Sequence, residues 1–265
     1  NKDVRALTAP CVEIPADDMK EPTSYQISAK NVVDRTRSRN PVISDRWIPL
    51  KIAVGGVRYS MAQTENGDLL DESGGGHDAC LHGTAVVEPM GGPGGTAALA
   101  IGNEGGYAEA NANLDFGEGD FTLMAWIWKA TPGSAVILSR GNGFGASDQW
   151  SWGWEKDGAP GSISLRANNR YFATAPDSVP LYRWVHVAFV RKGNTGQSYV
   201  NGSPSGDACD MAHVGSLAND QPLRIGRRSY EANPAYFRGR IASVRIVPLA
   251  VSPEEIRTEW EESEQ

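Results

Sequence analysis

Nowhere in its 265 residues does the chain hold the ~20 consecutive apolar positions that a membrane-spanning helix needs. Its longest apolar stretches are strand-length and soon meet a charge. Blocks of Lys and Arg are missing too. With 25 basic residues against 32 acidic ones the formal charge is −7, which argues against a nucleic acid or an anionic membrane held by bulk electrostatics. Cysteine is scarce: Cys11, Cys80 and Cys209 lie far apart and form no Cys-x-x-Cys metal or redox motif. Spacing fixes no distance between them, so a Cys80 bridge to Cys11 or to Cys209 stands beside three free thiols. No charged-then-apolar leader follows Asn1, and any secretion signal is expected to have been removed or never to have been part of this sequence. Also missing are a Gly-x-Ser-x-Gly elbow, a His-Glu-x-x-His helix and any tandem repeat. "RGNGFGAS" is glycine-rich, yet it lacks the Lys-Ser/Thr of a phosphate loop and reads as a surface loop.

What is present is β-forming. Hydrophobic residues make up 40% and charged residues 22%, ordinary for a globular domain, while 30 glycines and 16 prolines imply many turns. From about Lys51 onwards, short alternating runs recur between Gly, Asn, Asp and Pro clusters. "YAEA", "FTLMAWIW", "AVILSR", "QWSWGWE", "SISLRA", "WVHVAFVRK", "QSYVNG", "LRIGRR" and "GRIASVRIVPL" are strand-length and rich in β-branched and aromatic residues. "EKDGAPGS" and "KGNTGQ" place Gly and Asn where hairpins need positive φ. One helix is signalled: Ser252 caps, Pro253 takes the first helical position and Glu255 completes a Ser-x-x-Glu capping box. Ile256 and Trp260, four apart, form its apolar face. Residues 1–50 differ, with scattered charges and one alternating run, "SYQISAKNVV". They read as an extended arm or linker before a domain spanning 51–265.

In order, "LLDESGGGHDACLHGT", "LDFGEGDFTLMAWIW", "YRWVHVAFVRKGNTGQSYVNG", "LRIGRR" and "FRGRIASVRIVPLAVSPEEI" resemble the motifs of the laminin G-like, or concanavalin A-like lectin/glucanase, jelly roll, in its pentraxin-like bacterial variant. The carriers include Asp71, Ser73, Gly74 and Gly76, then Gly119, Phe121 and Trp126, then Trp184, His186, Tyr199, Asn201 and Gly202. The likeness covers roughly residues 52 to 262, and the order of the pieces is more specific than any one of them. It implies an all-β fold: a two-sheet antiparallel jelly-roll sandwich with a short C-terminal helix, here preceded by the N-terminal arm. Ala242 and Ser243 stand where the family commonly carries an acidic pair. Calcium is frequent in the family, and Asp71 is the one motif carboxylate carried over, hence the candidate Ca2+ ligand. Calcium takes about six to eight oxygens, however, and Asp71 has an alternative task as an Asx cap of its own Ser-Gly turn.

The candidate ligand residues are Trp150, Trp152 and Trp154, which strand alternation puts on one face, with Ser151, Gly153 and Glu155 on the other. Two readings stay open. If the strand is central, the small polar face fills a core poorly and the indoles turn inward. Otherwise Trp152 or Trp154 belongs to a concave face on which sugar rings stack. Trp126 and Trp128 also share a face. His77, Cys80 and His82 lie close together but match no standard zinc spacing. His186, inside "WVHVAFV", reads as a hydrogen-bonded, partly buried imidazole. Asn201-Gly202-Ser203 is a glycosylation sequon that coincides with a hairpin turn.

A retaining glycosidase needs two carboxyls about 5 to 5.5 Å apart. The central strands offer only Glu155, so no catalytic residue is assigned. The expectation is a non-catalytic binding module of a secreted or cell-surface protein, with a glycan or a surface protein as its partner. The alternative is a structural subunit that self-associates through residues 1–50, and a polysaccharide-degrading enzyme comes last.

Overall fold

The computed structural model describes residues 25–27, 48–50, 56–102, 105–112, 114, 116–133, 135–141, 150–230 and 234–263. In chain order the strands are β1 (Tyr25–Ile27), β2 (Ile48–Leu50), β3 (Val57–Tyr59), β4 (Cys80–Gly83), β5 (Val86–Glu88), β6 (Ala98–Ile101), β7 (Gly106–Ala110), β8 (Phe121–Lys129), β9 (Leu138–Arg140), β10 (Trp150–Lys156), β11 (Ala159–Ala167), β12 (Arg170–Ala173), β13 (Trp184–Lys192), β14 (Thr195–Val200), β15 (Ser203–Pro204), β16 (Cys209–Asp210), β17 (Leu223–Ile225) and β18 (Gly239–Val247), followed by α1 (Pro253–Ser263).

Two compact units divide the chain, residues 1–54 and 55–265. In the first, β1 pairs antiparallel with β2, Tyr25 opposite Leu50. This short ladder lies where the alternating run "SYQISAKNVV" begins.

The second unit is a sandwich. One sheet runs β12-β11-β10-β9-β17-β7-β4, and the other β15-β14-β13-β8-β18-β6-β5 with β3 and β16 attached. Alternation explains the shared core. Phe121, Leu123, Ala125 and Ile127 of β8 and Val185, Val187 and Phe189 of β13 meet Trp150, Trp152, Leu165, Leu223 and Ile225 from the facing sheet. Turn chemistry fits as well. Asn201 and Gly202 both adopt positive φ, +46° and +71°, in the two-residue connection of β14 to β15. The Asn201 side chain also accepts the His186 backbone N–H at 2.9 Å, which ties the turn to β13 and explains the sequon match structurally.

The capping box closes as its sequence implies: the Glu255 carboxylate accepts from Ser252 N at 2.9 Å, and the Ser252 hydroxyl accepts from Glu255 N at 3.3 Å. Ile256 is buried, and Trp260 packs over Gly202 and against the outer face of the β8 sheet.

Candidate functional site

The three tryptophans of β10 do not share a face. Trp150 and Trp152 are each 2% exposed and stand in the core, so as ligand residues they are corrected to wall material. The alternation breaks at Gly153, where the register against β11 shifts by a bulge. Gly153 sits at φ +122°, and a Cβ there would come within 2.1 Å of the Ala135 carbonyl oxygen, so the bulge needs glycine. Past it, Trp154 emerges on the other side of the sheet, its indole N–H donating to the Ser151 hydroxyl at 2.6 Å. The Arg228 guanidinium lies 5.0 Å from the Trp154 ring centroid.

Asp71 has the alternative task. One carboxylate oxygen accepts the backbone N–H of Arg58 and of Ser73, the latter closing an Asx turn; the other accepts the Ser73 hydroxyl and the His77 N–H. Burial pushes this carboxyl's pKa up, but the donors outweigh it and the net direction is down. N–H groups aimed at both oxygens occupy the lone pairs that a cation would use. The residues around Asp71 therefore do not fit calcium, and among the described residues no cluster of three His, Cys, Asp or Glu side chains is arranged to hold a metal.

Cys80 and Cys209 are free thiols, so the Cys80–Cys209 bridge is corrected as well; Cys11 lies outside the described residues, as does most of the "RGNGFGAS" loop. The reason is topological. Cys80 is on edge strand β4 of one sheet and Cys209 on β16 of the other. His82 stacks on Tyr107, its cross-strand partner, with ring centroids 4.7 Å apart. His186 is 1% exposed rather than partly buried, its ring 5.5 Å from Trp126, and its Nδ1 has no hydrogen-bond partner among the described residues. Burial pushes its pKa down to about 4, so the ring is neutral near pH 7. Glu155 is tied down too, accepting the Gly133 N–H at 3.2 Å and lying 3.8 Å from the buried Lys129 ammonium.

An open aromatic surface exists on the other sheet. In β8 the alternation is unbroken against β13, and it turns Trp126 and Trp128 outward together. Trp126 is closed over by Trp184 and Trp260. Trp128 is left at the floor of a cleft of about 400 Å³, lined also by Thr84, Val86, Glu88, Ala100, Arg238 and Arg240. Arg240 is the cross-strand neighbour of Trp128, its guanidinium 5.1 Å from the ring and held by Glu88 at 2.6 Å.

Tyr182 meets Trp128 edge-on, centroids 5.6 Å apart, yet is 63% exposed. Its φ is +58°, a left-handed conformation that a bulky side chain rarely adopts. Its backbone N–H donates to the Lys129 carbonyl at 2.9 Å, which ties this turn to the end of β8, and strain of this kind gathers at binding sites.

A larger cavity of about 650 Å³ opens at one end of the sandwich, lined by His77, Asn111, Ala112, Arg140, Ala218, Asn219 and Asp220. Arg140 donates there to the Leu114 and Gln221 carbonyls, and among the described lining residues there is no Trp, Tyr or Phe ring for a sugar to stack on. The smaller cleft is therefore the better candidate. Its signal was in the sequence as the Trp126/Trp128 pair, but which member stays open depends on what covers the sheet.

Residues 102–257 match the model of a family described as the concanavalin A-like lectin/glucanases superfamily. No curated protein matches the chain. Among solved structures, the receptor-binding domain of botulinum neurotoxin mosaic serotype C/D superposes with TM-score 0.59 at 15% identity, over 78% of this chain and 50% of that one. The binding domain of Paraclostridial Mosquitocidal Protein 1 gives 0.59 at 15% identity, over 80% and 53%. Domain 4 of AbnA, a GH43 extracellular arabinanase from Geobacillus stearothermophilus solved in complex with arabinotriose, gives 0.58 at 15% identity, over 76% and 96%. The chain spans about half the length of the toxin binding domains, and at these identities the likeness concerns the fold.

Proposed function

Because the chain belongs to the concanavalin A-like lectin/glucanases superfamily, we propose that its sandwich is a non-catalytic module that binds glycan on the Trp128 cleft, in a secreted or cell-surface protein. The observation that carries this reading is the shelf of Trp128 and Tyr182 on the outer face of β8, held open beside the Arg240–Glu88 pair. A pyranose presents axial C–H groups that pack on an indole face, while its equatorial hydroxyls reach charged groups at the rim. The arabinotriose complex of AbnA domain 4 supports it by analogy of fold, as do the receptor-binding domain of botulinum neurotoxin mosaic serotype C/D and botulinum neurotoxin type C, whose cell entry depends on interaction with two ganglioside molecules. Catalysis has less support, since Glu155 is tied to Lys129 and Gly133.

The test exploits the strain at Tyr182. Tyr182→Gly relieves the left-handed backbone and is expected to raise thermal stability slightly, by up to about 1 kcal/mol, while weakening glycan binding on an array at least several-fold. Trp128→Ala should abolish binding with the fold intact. Undiminished glycan binding in both variants would remove the cleft from the reading.

A further inference from the structure

Resting on the glycan reading above, we propose that the sugar taken by this cleft carries a negative group, a carboxylate or a sulfate, which docks on Arg238. Arg238 immediately precedes β18, Arg240 is the second residue of that strand, and both line the cleft. Arg240 is already neutralised, with Nε and Nη2 facing the two Glu88 oxygens at 2.6 and 3.5 Å. Among the described lining residues Glu88 is the only acid. Arg238 is exposed, and among the described residues no ion pair involves it. The cleft thus presents one uncompensated guanidinium beside a stacking ring. A planar fork of N–H donors at that place matches a carboxylate or sulfate on a ring seated over Trp128.

The acidic character of the whole protein, −7, runs against an anionic ligand, but distance decides the contest. At physiological ionic strength charges more than about 8 Å away are largely screened, whereas a guanidinium in contact with the ligand is not.

The experiment measures affinity of the intact chain for matched polymers: polygalacturonate against its full methyl ester for the carboxylate arm, and dextran sulfate against dextran for the sulfate arm. The expected result is preference for the charged member of at least one pair. Arg238→Ala should reduce that binding roughly ten- to a hundred-fold, and Trp128→Ala should abolish it. Which arm responds identifies the group. If neutral members bind equally well and Arg238→Ala changes nothing, the inference is overturned while the glycan reading survives through its Trp128 dependence. Charged polymers that bind regardless of Trp128 and fade with salt overturn the inference too, since the attraction would be non-specific. Should no glycan on this panel or on a general array bind, both fail. Melting curves of the variants verify that the exposed Arg238 position leaves the fold unchanged.

Discussion

Strands β8 and β10 carry the same signal, tryptophans at alternate positions, and meet opposite ends. In β10 the first two indoles point into the core and the third is thrown to the outside by a one-residue bulge at Gly153. In β8 the alternation runs true, and both indoles point outward. There the difference arises one step later: Trp126 is buried under Trp184 and Trp260, while Trp128, the cross-strand partner of Trp184, lines a cleft. Periodicity therefore says which residues share a face only where the ladder is regular, and it never says what covers that face.

The comparison can be broken most decisively at Trp152. Trp152→Ala opens a cavity in the core and should cost about 4 kcal/mol in urea unfolding, whereas Trp128→Ala should cost about 1 kcal/mol and show its effect in binding instead. Equal losses at the two sites would mean that the two strands are not differently placed. Next comes Gly153→Ala, which sets a Cβ against the Ala135 carbonyl at a φ that alanine avoids; a loss on the order of 3 kcal/mol is expected. A variant as stable as the parent would show that no bulge separates Trp152 from Trp154.

The covered end of β8 has its own signature in pH. His186 is held neutral by burial, its pKa down to about 4 when folded against 6.5 as the reference value. As pH falls below 6.5 the unfolded chain takes up the proton first, so stability is full above that pH and declines until about 4, where both states are protonated. The decline attributable to this residue is roughly 3 kcal/mol. Denaturant titrations at pH 7 and pH 4.5 should show it, and His186→Gln should shrink it; the same pH dependence in parent and variant would place the imidazole in water.

Much of the sandwich was readable. "WVHVAFVRK" became β13 residue for residue, and "FTLMAWIW" became β8 with Lys129 added. The Ser252–Glu255 box formed because its partners lie within one helical turn. Short strands such as β4, β5 and β6 had no comparable signal, since three or four residues hold too little alternation and owe their pairing to neighbours distant in the chain. Asp71 shows the same limit at a site. Its motif was visible, but the Arg58 amide that helps to fill its carboxylate comes from β3. Tyr182 and Arg238 lie inside the motifs "YRWVHVAFVRK" and "FRGRIASV" but carried no candidate role, because neither belongs to a periodic run.

By itself, then, the sequence determined the period-two strands, the hairpin turns and the capped helix, all features written in contacts between residues close in the chain. Tertiary structure alone decided which tryptophans enter the core, which carboxylates are already satisfied and which side chains line a common cleft. The physical reason is that exposure and electrostatic neighbourhood are properties of what packs across a surface, and in an antiparallel sandwich those partners come from strands far apart along the chain.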